Sequence, residues 1–196
     1  MKNSSYEKQM NRFKEVICLC AKNHLELLNS ERLLAFEKKL FQKYVDNEIE
    51  DNALEKSLFN ISYFLYKHYH QKVIILIDEY DLPLQYAYQY NYYDEMVEFL
   101  RSVFSSALKI NDALEKGIMT GCLRISKESI FTGLNNFKAY SILYKSKNEY
   151  FGFTKKEILQ LLKDYNLTDY VDEVKEWYDG YLFGNIEIYN PWSTLM

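Results

Sequence analysis

Residues 73–84 read VIILIDEYDLPL, and this stretch decides the class of fold. Its first five residues, Val73–Ile77, are apolar without alternation and run directly into Asp78 and Glu79. An unbroken apolar run predicts a strand buried on both faces, as in a parallel sheet covered by helices. In such sheets ligands bind beyond the carboxyl ends of the strands, which is where Asp78 and Glu79 fall. Phosphoryl-transfer sites use two carboxylates in this way. One holds the Mg²⁺ shell, and the other orients or deprotonates the attacking water. They also need a glycine-rich loop whose backbone N–H groups cradle the phosphates, with a lysine and a Ser/Thr. No glycine precedes Gly117. The sequence thus shows one half of a phosphate site.

After this strand, Leu82–Tyr93 reads as a loop, with Pro83 preventing a helix from starting before the turn. A helix follows over Asp94–Ile110, with Met96, Leu100, Val103, Ala107 and Leu108 on its apolar face. Gly117–Leu123 reads as a second, shorter parallel strand. Strand, crossover helix and strand make a βαβ unit, which places the chain in the α/β class. The second strand delivers Thr120 to the same edge, to donate to a γ-phosphate or the attacking water, or simply to be satisfied by backbone. Arg124 follows, suited to neutralising phosphate charge.

Ahead of the first strand, the pattern predicts helices over Tyr6–Leu28, from an Asn29–Ser30 cap through Tyr44, and from Asp51–Asn52 to His68 and His70. The two histidines suit the negative end of that third helix. Beyond Arg124–Tyr150, which is irregular, Thr154 and Glu157 form a capping box for a helix through Lys163. A last helix over Asp169–Trp177 stops at Asp179–Gly180. The expected organisation is a partial sheet core with flanking helices over residues 1–150 and a small helical lid or appendage over 151–196.

Composition sets limits on function. The chain has 196 residues, 48% of them hydrophobic, enough for one domain with a substantial core. With 27% of residues charged nothing suggests wholesale disorder, and a net charge of −4 argues against coating nucleic acid along the whole surface. Cys18, Cys20 and Cys122 form no disulfide framework and no paired metal-ligand spacing. No secretion signal and no apolar run long enough to span a bilayer is present, so a cytoplasmic protein without membrane contact is expected. Between Lys116 and Lys147 stand six basic residues, among them Arg124 and Lys127, against Glu128 alone. Interleaved with tyrosines, that stretch reads either as a contact for nucleic acid or phosphate or as a solvated loop balancing an acidic body. No Ser or Cys sits in a nucleophile elbow.

Several segments together resemble one family. VIILIDEYDLPL, YYDEMVEFLRSVFSSALK, GIMTGCLRISKESIFTGLNNF, EYFGFTKKEI and VKEWYDGYLFG…IYNPWSTL are similar to the bacterial AAA-ATPase-like proteins. Those are P-loop ATPases, often carrying a PD-(D/E)XK nuclease-like domain. The resemblance implies a P-loop NTPase-like parallel sheet, ATP and Mg²⁺ as cofactors, and ATP hydrolysis as the activity. It makes Asp78 the Mg²⁺-associated Walker B aspartate and Glu79 the water-activating acid. Thr120 falls at the position of a sensor residue, and Arg124 and Lys127 in the basic loop beyond it.

The departure from the family is the missing R-R-F-G-K-S-like phosphate loop. The chain is expected to be a core piece without its Walker A segment, inactive by itself and completed by a separately encoded segment. An uncovered sheet edge and apolar helix faces make self-association the expectation. The competing readings are a non-enzymatic module that binds protein or nucleic acid, and a decayed remnant.

Overall fold

A computed structural model describes residues 4–122, 130–131, 137–141, 144 and 148–195. The chain divides into two compact units, Met1–Asn136 and Phe137–Met196.

The first unit is mostly helical. Its helices are α1 (Ser4–Lys22), α2 (Ala35–Val45), α3 (Asp51–Leu54), α4 (Ser57–Tyr69), α5 (Leu82–Gln89) and α6 (Tyr93–Leu108), and its strands β1 (Val73–Ile77) and β2 (Leu114–Met119). The most strongly patterned helix, α6, buries Met96, Val97, Leu100, Val103, Phe104 and Ala107 at spacings of three and four. That stripe joins Ile17 and Ala21 of α1, Phe41 and Tyr44 of α2, and Ile61 and Phe64 of α4 in one core.

Several expected elements are rearranged. The first helix ends at Lys22, and the chain passes into a 3-10 turn over Leu25–Asn29. Ser30 caps no helix. Its hydroxyl accepts the Arg32 N–H at 3.3 Å and lies 2.9 Å from His68 Nδ1, and α2 begins only at Ala35. The third expected helix is two, α3 and α4. Leu82–Tyr93 is not a loop. It starts with α5, which has Pro83 in its first turn, where a missing N–H is no loss.

β1 and β2 pair in parallel, with Ile75 opposite Gly117, Leu76 opposite Ile118 and Ile77 opposite Met119. The second strand starts at Leu114, earlier than the glycine suggests, and Gly117 is the close-approach point. A Cβ there would lie 2.8 Å from Leu108 Cδ2 of α6. Val73, Ile75 and Ile77 join the helical core, but Ile74 and Leu76 are 55% and 71% exposed and Ile118 is 43% exposed. The expectation of two buried faces therefore fails for β1. The core helices cover only the face carrying Val73, Ile75 and Ile77.

The second unit adds a small sheet to the helices expected there. It contains β3 (Phe153–Thr154), α7 (Lys155–Asp164), α8 (Val171–Tyr178), β4 (Asp179–Phe183), β5 (Ile186–Tyr189) and α9 (Pro191–Leu195). Its strands form an antiparallel sheet of order β3-β5-β4. Asp179–Gly180, read in sequence as a helix stop, opens β4, and the hairpin to β5 turns through Gly184 at φ 61°. The capping box is present. Thr154 Oγ1 accepts the Glu157 N–H at 3.4 Å, and Glu157 Oε2 accepts the Thr154 N–H at 2.8 Å. Ile158, Leu162 and Tyr189 make a small core of their own.

Candidate site at the carboxyl ends of β1 and β2

The parallel ladder continues past both strands. The Thr120 N–H donates to the Ile77 carbonyl at 2.9 Å, and the Tyr80 N–H to the Thr120 carbonyl at 3.0 Å. This extension sets Asp78 beside Thr120. The Thr120 hydroxyl donates to Asp78 Oδ1, and the Glu79 N–H donates to the same oxygen at 3.0 Å. Both bonds fall on Oδ1. Asp78, Glu79 and Thr120 are all exposed, so this carboxylate edge opens to solvent.

Glu79 takes φ 51°, the left-handed region that costs a non-glycine residue about 1 kcal/mol. The turn closes when the Leu82 N–H donates to the Glu79 carbonyl at 3.0 Å, and α5 departs from there. Asn47, His70, Asn91 and Asn166 take the same region at helix C-terminal ends, whereas Glu79 takes it in the turn between β1 and α5.

Asp81 differs from its neighbours in being 1% exposed. Its Oδ2 accepts the Gln85 side-chain amide at 2.8 Å and its Oδ1 the Cys122 N–H at 3.3 Å. Sequence reasoning gave Asp81 no role. The available signal was its position just before Leu82-Pro83, where an aspartate opens a helix. Arg124 and Lys127 lie outside the described residues.

Other polar clusters have structural explanations. The Ser30–His68 contact is buried at Ser30, which is 2% exposed, and Arg32 Nη1 donates to the His68 carbonyl. A cleft of about 210 Å³ lined by Asp51, Glu55, Glu95 and Glu98 is partly neutralised. Lys14 Nζ lies 2.9 Å from Asp51, and the Ser102 hydroxyl donates to Glu55 at 2.6 Å. Among the described residues no group of three or more His, Cys, Asp or Glu is placed to hold a metal ion. A Mg²⁺ bound with nucleotide does not require one, because it takes one or two carboxylates and otherwise waters and phosphate oxygens. Asp78, an exposed carboxylate at a strand end, fits that donor set. No helix among the described residues is long and apolar enough to cross a membrane.

The family model described as Predicted AAA-ATPase matches residues 2–131. The chain belongs to this AAA-ATPase-like family. The match takes in both parallel strands together with Asp78, Glu79, Asp81 and Thr120, and also Arg124 and Lys127. A relative, the uncharacterized protein in the vnfD 5′ region of Azotobacter chroococcum mcd 1, is 29% identical over 128 residues. That alignment covers 64% of this chain and 24% of the relative, so the chain spans about a quarter of the relative's length. No solved structure matches.

Proposed function

We propose that the carboxyl edge of β1 and β2 is the acidic half of a Mg²⁺–ATP phosphate site in a P-loop NTPase-like sheet. The observation that carries this reading is the Thr120–Asp78 hydrogen bond, which joins the ends of two parallel strands at the place where such sheets bind ligands. In this reading Asp78 holds the shell of the ion. Glu79 orients or deprotonates the attacking water, and Thr120 senses the γ-phosphate through its hydroxyl. Arg124 and Lys127 supply positive charge from the segment beyond β2. The chemistry is phosphoanhydride hydrolysis in the cytoplasm, coupled to a conformational change.

Residues 1–116 hold no glycine, so no glycine-rich cradle precedes β1 within them. A triphosphate needs those N–H groups and the loop lysine for most of its electrostatic binding. The 196-residue polypeptide by itself therefore neither binds ATP tightly nor hydrolyses it. Titration with Mg-ATP while following the melting temperature tests this. The expected result is no saturable rise; a saturable upward shift of several degrees overturns the half-site reading.

A second reading has its own support. The exposed sheet face of Ile74, Leu76 and Ile118 and the exposed Trp177 and Trp192 favour an interaction module that self-associates or binds a protein. Sedimentation over a wide concentration range separates the two: a monomer mass throughout counts against self-association.

A further inference from the structure

Asp81 stands at the N-cap of α5, where an aspartate ordinarily accepts the first free N–H groups of the helix. Its side chain makes no such capping bond. Instead the carboxylate, 1% exposed, reaches across to the backbone just past the end of β2 and takes the N–H of Cys122, 41 residues downstream, on Oδ1. Gln85, one turn into α5, holds the other oxygen. Gly121 completes the arrangement. A Cβ on it would lie 2.5 Å from Asp81 Oδ1 and 2.7 Å from the Tyr80 ring, so a side chain there would displace the carboxylate or the ring. A buried carboxylate is costly unless hydrogen-bonded, and here one oxygen is held by the first turn of α5 and the other by the backbone just past β2.

We infer that Asp81 is a positioning residue for the proposed phosphate site. It fixes the path of the chain as it leaves β2, and through the adjoining residues Gly121 and Thr120 it keeps the Thr120 hydroxyl on Asp78. This inference rests on the reading of Asp78 as the ion-holding carboxylate. It adds that the geometry of Asp78 is set by a buried strut from the same turn. The Thr120 N–H donates to the Ile77 carbonyl and the Tyr80 N–H to the Thr120 carbonyl, and the Cys122 N–H on Asp81 adds a further pin two residues on.

The test uses two readouts on the isotope-labelled full chain: hydrogen exchange of the Cys122 amide, and Mn²⁺-induced broadening of the Asp78 amide as a measure of ion affinity. Asp81→Leu has a similar shape and no acceptor. It should speed Cys122 exchange at least tenfold and weaken Mn²⁺ binding at Asp78 at least fivefold. Asp81→Asn keeps an acceptor for the Cys122 N–H, and the Gln85 amide can turn to meet its Nδ2, so both readouts should stay within threefold of the native chain. Gly121→Ala, which presses on the carboxylate from the other side, should resemble Asp81→Leu and serves if that variant fails to fold. If Asp81→Asn loses as much Mn²⁺ affinity as Asp81→Leu with exchange unchanged, Asp81 acts by charge and the inference is overturned. It is equally overturned if Asp81→Leu and Gly121→Ala both leave Cys122 exchange unchanged. Absence of Mn²⁺ broadening at Asp78 in the native chain defeats the phosphate-site reading, and the exchange data still decide whether Asp81 pins β2.

Discussion

Thr120 and Asp78 close the ends of two adjacent parallel strands, and the Thr120 hydroxyl donates to Asp78 Oδ1. A donor held against a strand-end carboxylate both orients it and links the register of β2 to the turn after β1. Thr120→Val, which keeps the shape and removes the donor, should lower stability by about 0.5–1 kcal/mol, because the bond is exposed to water. Thr120→Ser should stay near the native value. Urea denaturation of the three proteins reads the difference, and identical midpoints for Val and Thr would show that the bond contributes nothing.

Glu79 holds φ 51°, so its backbone is tolerated only by residues at ease in the left-handed region. Glu79→Asn should leave the melting temperature unchanged or raise it. Glu79→Val should destabilise by about 1–2 kcal/mol, since a β-branched side chain adds to the cost of that conformation. The order Asn above Val in thermal denaturation is the expected outcome, and the reverse order contradicts the turn geometry.

Glu37 of α2 is 5% exposed, accepts the Leu34 N–H at 2.7 Å and pairs with Lys67 Nζ of α4 at 2.7 Å. Removing the cation leaves a buried carboxylate with a lost partner. Lys67→Ala should cost about 3 kcal/mol, the low end for breaking a buried pair, because Lys67 is itself partly exposed. A loss below the measurement error in chemical denaturation would mean the pair is screened like a surface one.

The α7 capping box carries a pH signature. The backbone N–H of Thr154, then its hydroxyl, hold the Glu157 carboxyl below the usual carboxylate value. A depressed folded-state pKa gives a contribution present above the unfolded value and lost as pH falls through the folded one. The amide resonance of residue 154 should therefore titrate below the ordinary glutamate value, and Thr154→Ala, which removes the hydroxyl and keeps the backbone N–H bond, should move that midpoint part of the way back while weakening α7 by about 1 kcal/mol. A Thr154 amide that titrates at the ordinary glutamate value contradicts the box.

Much of the first unit was legible because its signals are local. The stripe of α6 follows from Met96, Leu100, Val103 and Ala107 alone, and β1 from an apolar run ended by two acids. Pro83 misled because proline breaks helix interiors but suits a first turn, and only the position of Leu82 as the helix start separates those cases. Both-face burial of β1 was a property of whatever packs on the sheet, which a strand's own residues cannot specify, and Ile74 and Leu76 stand exposed. The second sheet escaped notice because Asp179–Gly180 satisfies a helix stop and a strand start equally well. The position of Asp78 and Glu79 just past the end of β1 was readable from the apolar run before them. The burial of Asp81 was not, because its partner Cys122 is 41 residues away.

The central claim is that Asp78, at the end of β1, holds a divalent cation. The most direct measurement is paramagnetic broadening of the isotope-labelled chain on titration with Mn²⁺. The account predicts that the amides of Asp78, Glu79 and Thr120 broaden first and that Asp78→Asn removes the effect. Broadening that starts instead at the acidic cleft of Asp51, Glu55, Glu95 and Glu98, or that survives Asp78→Asn unchanged, contradicts it.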